Sequence, residues 1–164
     1  MMLLDTAKIS EAAPYNVWYD NGEYIFKTDA EIVYAVGFKL DDVFQSFTAY
    51  WFDLTNRSHK PSPNDLKVRD TIICIIEEFF RQNPDILLYL CDTANGQQAM
   101  RNRLFLRWFN TYEMKQKYSI FNEMIPDEGE MNSVSLIIPL SHPQYEAIVS
   151  HFNEMIDNFK ENKP

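Results

Sequence analysis

The chain has 164 residues, of which 46% are hydrophobic and 24% charged, and its formal net charge is −9. This length and composition are typical of one soluble globular domain that buries enough surface to need no disulfides. The acidic balance disfavours binding to nucleic acid or to an anionic membrane, and four glycines are too few for a multi-glycine phosphate loop.

The first third of the chain predicts an antiparallel meander of four strands. In YNVWYDNGEYIF (15–26), an Asp20-Asn21-Gly22 turn joins two alternating aromatic runs, which is a strong hairpin signal. The runs EIVYAVGF (31–38) and FQSFTAYWFDL (44–54) predict the third and fourth strands. We expect one face of this meander to pack on helices and the other face to carry Trp18 and Trp51.

Two helices and a buried strand are predicted in the middle of the chain. The sequence SPND (62–65) predicts a helix start with Ser62 as the N-cap, and this helix ends near Gln82 because Pro84 follows. The apolar run DILLYLC (85–91) predicts an interior strand, with parallel or antiparallel pairing left open. A second helix is predicted over 96–117.

The last part of the chain predicts a hairpin and a helix. YSIFNEMI (118–125) and SVSLIIPL (133–140) are strand candidates joined by an acidic turn. The sequence SHPQ (141–144) resembles a capping box at the start of the last, strongly amphipathic helix.

The order of these elements, β-β-β-β-α-β-α-β-β-α, predicts an α+β fold. Three helices are expected to pack on one face of a largely antiparallel sheet. We expect a single domain over residues 1–164, with a loosely ordered segment at 1–13 and a frayed tail at 161–164.

The junction between the interior strand and the second helix predicts a binding site for a small anion. Arg101 falls on the apolar face of its helix, and Arg69 falls within the apolar stripe of the preceding helix. A guanidinium stays charged, so burial requires an anionic partner. Helix N-termini suit anions. The expected ligands are Asp92, Thr93, Asn95, Gln97, Arg101 and Arg69.

A purely structural role for the two arginines stays open at this point. Asp92 is the nearest acidic residue in sequence to Arg101, and Asp53 or a glutamate of the meander could pair with Arg69. Ion pairs of this kind are common structural features.

The middle of the chain resembles an uncharacterised domain family of small Bacteroidetes-type proteins. The resemblance rests on SPND and on TIICIIEEFFRQNPDILLYLCDTANGQQAMRNRLFLRWF: a helix ending FF, then NP, an apolar strand ending CD, and a helix with GxQ-xxR-x-RLF-xx-WF. The resemblance covers nearly the whole chain, from Tyr15 to the last helix. The resemblance implies no activity and no catalytic residues. It singles out Cys91, Asp92, Gly96, Gln98, Arg101, Arg103, Leu104, Phe105, Trp108 and Phe109.

No pattern in the sequence predicts catalysis, a cofactor or a metal. Cys91 ends an apolar strand, and the three histidines form no motif with it. There is no CxxC or HxxxH spacing, and the turn PDEGE (126–130) lacks the alternating ligands of a calcium loop. The sequence also lacks a signal-peptide core and a membrane-length apolar run, so we expect a cytoplasmic protein.

The sequence therefore favours a non-enzymatic binding or protein-interaction module. We expect the partner to be another protein or a second copy, and the interaction surface to include Arg103, Arg107, Trp18 and Trp51. Such aromatic side chains would form an apolar patch if they cluster. The alternative is a small enzyme or anionic-ligand-binding protein that uses the junction at 91–101. A nucleic acid or membrane partner is disfavoured.

Overall fold

A computed structural model describes residues 1–42, 44, 46–60, 65–92, 107–108, 110–127 and 130–161. The helices in these ranges are α1 (Thr6–Ala12), α2 (Leu66–Gln82), α3 (Tyr112–Lys115) and α4 (Tyr145–Glu161). The strands are β1 (Trp18–Asp20), β2 (Glu23–Lys27), β3 (Val33–Leu40), β4 (Ala49–Asn56), β5 (Ile86–Asp92), β6 (Tyr118–Asp127) and β7 (Glu130–Pro139). They form one seven-stranded sheet in the order β1-β2-β3-β4-β5-β7-β6.

The α+β class and the largely antiparallel sheet are therefore confirmed. Four helices lie in the described residues where three were predicted, because α1 occupies part of the segment expected to be loosely ordered. The Asp5 carboxylate caps this helix by accepting from the Ala7 and Lys8 amides at 3.1 and 3.2 Å. Leu4 and Ile9 are buried, which anchors the segment. The chain forms two compact units, each described below, and single-domain folding stays a prediction.

The first unit comprises Met1–Lys39 and Phe52–Pro84. Strands β1, β2 and β3 pair antiparallel in it. The predicted hairpin turn is confirmed, because Asn21 and Gly22 both have positive φ, at 50° and 87°. Positive φ at both residues is typical of a two-residue turn whose twist matches that of the flanking strands.

Helix α2 is the core helix of this unit. Its Phe79 ring stacks on Phe38 of β3, with centroids 4.9 Å apart, and Ile72 is fully buried. The N-cap of α2 is Asp65, whose carboxylate accepts from the Lys67 amide at 2.8 Å. The prediction of Ser62 as N-cap is therefore wrong. The carboxylate of Asp65 lies directly before the first turn of α2 and accepts from an amide that has no partner within the helix.

The second unit comprises Leu40–Trp51 and Asp85–Pro164. Strand β5 pairs antiparallel with β7, and β7 pairs antiparallel with β6. The sequence left the pairing direction of β5 open, and it is antiparallel. Its core joins helix α4 to strands β4, β5, β6 and β7. The buried members are Phe44, Ala49, Ile86, Leu88, Ile125, Val134, Leu136, Ile138, Ile148, Phe152 and Ile156.

Two predicted element boundaries in this unit are wrong. The helix predicted over 96–117 does not run through, because Thr111 has extended backbone angles (φ −72°, ψ 155°) and only the short α3 follows it. The last helix begins at Tyr145, after a turn in which the His142 imidazole Nδ1 accepts from the Gln144 amide at 3.0 Å. Residues 141–144 therefore precede that helix as a turn instead of forming its capping box.

Candidate functional site

Most of the predicted anion site lies outside the described residues. This applies to Thr93, Asn95, Gln97 and Arg101, and also to Arg103 of the predicted interaction surface. Asp92 is the last residue of β5, and its backbone lies opposite Asn132 of β7. The junction therefore begins where β5 leaves the sheet beside β7.

Arg69 is described, and it forms an ion pair within its own helix. Its Nε donates to Asp70 Oδ1 at 2.9 Å, and 30% of its side chain is exposed. Asp70 thus takes the place of the meander carboxylates, such as Asp53, that the sequence suggested. A partly exposed guanidinium with an adjacent carboxylate carries a small desolvation cost, and its role as an anion ligand stays a prediction.

The predicted interaction residues that are described differ in their surroundings. Arg107 is exposed in a helical turn of the second unit, and Trp18 on β1 is 41% exposed. Trp51 is half-buried, packs against the core of the second unit, and donates from Nε1 to Asp41 Oδ1 at 2.8 Å. A tryptophan with its N–H bonded and its ring packed against the core stabilises the fold, and the role of Trp51 in an interaction surface stays a prediction.

Strand β6 presents the most distinctive backbone surface of the second unit. It has ten residues and lies at one end of the sheet order, paired on one side with β7. The Leu140 amide donates to the Lys117 carbonyl oxygen at 2.9 Å, in continuation of the same ladder. Backbone groups of an antiparallel edge strand alternate between the neighbouring strand and the outside. Odd-numbered residues of β6 therefore bond to β7, and even-numbered residues point outward.

Pro126 independently supports this assignment. It lies opposite Met131 within the unbroken β6–β7 register, although proline has no N–H to donate. A proline is accommodated in a ladder only where its nitrogen faces away from the neighbouring strand. The backbone groups of the even-numbered residues of β6 thus face away from β7.

Ile120, Asn122 and Met124 are the central residues of this outer edge. Of the residues that the structure describes, none forms a hydrogen bond with their outward N–H and C=O groups. Asn122 is exposed, Met124 is 38% exposed and Ile120 is half-buried. An edge of this kind is a template for pairing with another strand.

The centre of the edge lacks the usual protective features. The segment Ile120–Met124 contains no proline and no lysine, and the register with β7 has no bulge. The only charged residue there, Glu123, bonds to Lys160 of α4 at 3.4 Å. By contrast, β1 at the other end of the sheet order has three residues, and shortness itself protects an edge.

A polar cluster lies beside the edge and fixes the orientation of one of its side chains. This seam consists of Asn122, Ser133 and Ser135. Both serines are buried and donate their hydroxyls to Asn122 Oδ1, with Ser135 at 3.0 Å. The two serine hydroxyls therefore hold the Oδ1 end of the Asn122 carboxamide at β7.

The seam also borders the predicted anion junction. In the register of the sheet, Ser133 lies opposite Cys91, and Ser135 lies opposite Tyr89. Polar side chains in sheet interiors are satisfied by partners, and here the partner is the exposed asparagine on β6. The seam therefore reaches the strand that pairs with the end of β5.

A second polar cluster, in the first unit, serves the fold. The Tyr15 hydroxyl donates to Asp65 Oδ2 at 2.6 Å and accepts from the Asp29 amide at 3.2 Å, and Lys67 Nζ donates to Asp29 Oδ2 at 2.9 Å. Burial and the bond to Asp65 raise the pKa of Tyr15, whereas Lys67 lowers the pKa of Asp29. These contacts tie the start of α2 to the loop after β2.

Burial also affects an acidic residue of the second unit: the pKa of Asp85 is raised. Burial is the main cause, and the nearby His142 acts in the opposite sense. The Asp85 carboxylate in turn adds to the effect of burial in raising the pKa of Tyr50. In the described part of the chain, no three acidic, histidine or cysteine side chains come together as a metal site would require.

The β6 edge was not identified as a site from the sequence, although one signal was present. A proline inside a strand pattern indicates an edge strand, and Pro126 closes the run YSIFNEMIP. Strand β6 is the last strand of the sheet order because β7 lies between β5 and β6. No local sequence pattern specifies this order.

Comparison with known proteins identifies the family. The chain belongs to DUF6169, a family of unknown function, whose match covers residues 64–154 and thus includes β5, β6 and β7. A search of the curated proteins finds no match. The expected membership in a family without assigned activity is thereby confirmed, and the bacterial group that the resemblance implied stays a prediction. None of the helices in the described ranges has the length and apolarity that a membrane crossing requires.

Proposed function

We propose that this DUF6169 chain is a non-enzymatic protein-interaction module that binds an extended polypeptide strand along the outer edge of β6. The observation that carries the proposal is the row of outward N–H and C=O groups at Ile120, Asn122 and Met124, for which the described residues supply no partner. Strand addition to a sheet edge uses such groups for affinity and alternate side chains for specificity.

The energetics favour a strand over a compact ligand. Each backbone hydrogen bond contributes about 0.5–1.5 kcal/mol net, so affinity requires several bonds in register. The side chains of Ile120 and Met124 flank the polar Asn122 on one face of the strand. A bound strand therefore fits best when it places apolar residues beside Ile120 and Met124 and a polar residue beside Asn122.

Selection from a phage-displayed library of random ten-residue peptides tests this function without assuming a partner. We expect selected peptides to alternate apolar and polar residues and to bind the parent chain. They should lose at least about tenfold in affinity for Met124→Pro, which removes an outward N–H and no bond to β7. Glu154→Ala, at an exposed position of α4, is the control and should bind as the parent does. Peptides that bind Met124→Pro as well as the parent, or a library that yields no binders, would contradict the proposal.

A second candidate function is binding of a small anion at the junction 91–101, by a small enzyme or a non-catalytic ligand-binding protein. It is supported by the polar seam, since Ser133 lies opposite Cys91 next to the end of β5. Helix N-termini and arginines together suit phosphate or carboxylate groups. Inorganic phosphate should raise the melting temperature of the parent and not of Arg101→Ala. An equal rise in both, or none in the parent, would exclude this candidate.

A further inference from the structure

We infer that the strand bound at the β6 edge is β6 of a second copy, paired antiparallel about a two-fold axis at Asn122. This inference rests on the proposed function and specifies the partner. Pairing of two copies requires that outward groups face outward groups, so even-numbered residues must lie opposite even-numbered residues. An interface of this type is self-complementary, as a two-fold dimer demands.

The residues of the edge favour one register. With the axis at Asn122, Ile120 lies opposite Met124 of the second copy, and the two Asn122 residues face each other. Apolar residues thus meet apolar residues, and the amides meet at the centre. The smallest shift that keeps the outward groups paired is two residues, and it places Asn122 opposite Ile120 or Met124. That shift would pair polar with apolar side chains and lose cross-strand stabilisation.

The charges that flank the strand are complementary in the same register. Lys115 and Lys117 both precede β6. At its other end the strand finishes at Asp127, and β7 starts at Glu130. Antiparallel pairing brings the basic end of each copy to the acidic end of the other, twice by symmetry. Opposite charges at both ends of an interface set its register. A parallel arrangement would instead place basic beside basic.

The seam contributes to the orientation of the central residue. Because Ser133 and Ser135 bond to Asn122 Oδ1, the carboxamide of the central residue is held in place, and its Nδ2 group has no acceptor among the described residues. On the other face of the strand, Glu123 is engaged with Lys160 of its own chain. The negative charge nearest the axis is therefore partly neutralised, which lowers the repulsion between two acidic copies.

Disulfide trapping between single-cysteine additions tests the register. Opposite residues in this register lie about 5.5 Å apart between Cα atoms, within the range for a disulfide. Residues 120 of the two copies lie roughly 13 Å apart along the strand direction, as do the two residues 124. Under mild oxidation, Ile120→Cys and Met124→Cys should therefore each stay uncross-linked alone and cross-link when mixed. The native Cys74 and Cys91 are present throughout and serve as the background.

Sedimentation velocity over a concentration series is the companion measurement. We expect the parent to dimerise and Met124→Pro to dimerise at least about tenfold more weakly. A parent that stays monomeric throughout the series overturns the inference, and if selected peptides still bind its edge, the proposed function survives. A dimer that persists in Met124→Pro, or mixed variants that cross-link no better than the single ones, also overturns it.

Discussion

The Leu140 amide donates to the Lys117 carbonyl oxygen over 2.9 Å, and this bond determines which way every backbone group of β6 points. Because the backbone of Lys117 bonds to β7, the backbone groups of Phe121 and Glu123 also bond to β7. The backbone groups of Asn122 and Met124 then face outward. Binding of a strand at this edge depends on the alternation.

Proline substitutions on neighbouring residues should reveal the alternation through stability. Glu123→Pro removes an N–H bonded to β7 and should lower the free energy of unfolding by about 1–3 kcal/mol. Met124→Pro removes an outward N–H and should cost less than about 1 kcal/mol. Urea denaturation of both variants measures the difference. Equal losses would mean that the outward groups are already bonded in the isolated chain.

The seam should behave as a coupled unit. Asn122→Ala removes the acceptor of the Ser135 hydroxyl, which is fully buried, and should destabilise the fold by about 1–3 kcal/mol. Adding Ser135→Ala should recover part of that loss, because the buried donor is then gone as well. A double-mutant cycle by urea unfolding gives the coupling. Strictly additive effects would show that the bond contributes nothing.

Tyr15→Phe should weaken the attachment of α2 at neutral pH. The variant loses the bond to Asp65, a hydrogen bond to a charged acceptor of about 1.5–3 kcal/mol. The folded pKa of Tyr15 is raised above its ordinary 10.0, chiefly by burial, so the stabilisation is present below pH 10.0 and is lost as pH rises through the folded pKa. Unfolding at pH 7 and above pH 10 measures this. A loss that is the same at both pH values would contradict the assignment.

Asp85→Asn should stabilise the protein at neutral pH. Burial raises the folded pKa of Asp85 above its ordinary 3.8, so the folded state favours the protonated carboxyl. Its favourable contribution is complete below pH 3.8 and is lost as pH rises through the folded pKa. An asparagine stays neutral throughout, so the variant should melt higher than the parent at pH 7 and alike below pH 3.8. A variant that melts lower at pH 7 would show that the charge is stabilised.

Local chemistry explains which parts of the fold could be predicted from the sequence. The Asn21-Gly22 turn and the apolar run of β5 carry their signals within a few residues, and both are present where predicted. Helix α1 was missed because its cap is a single carboxylate, Asp5, in a short polar segment. The break at Thr111 was missed because the apolar spacing continues across it.

The candidate site required information that sequence patterns do not contain. Pro126 indicates an edge strand, but only the order of β5, β7 and β6 shows that β6 is terminal. The seam joins Asn122 to two serines on another strand, and such pairs depend on register. Residues Thr93, Asn95, Gln97, Arg101 and Arg103 lie outside the described part of the chain, so their predicted roles stay predictions.

Residue-resolved amide hydrogen exchange in β6 shows whether the outward N–H groups of Ile120, Asn122 and Met124 take up a second strand. In dilute protein, the amides of Phe121, Glu123 and Ile125 should exchange slowly, and those of Ile120, Asn122 and Met124 should exchange fast. At high protein concentration, or with a selected peptide bound, the three fast amides should become protected while the others change little. Fast exchange at these three residues under every condition would contradict the proposed strand binding. Full protection of the Ile120 and Asn122 amides in dilute Met124→Pro would also contradict it.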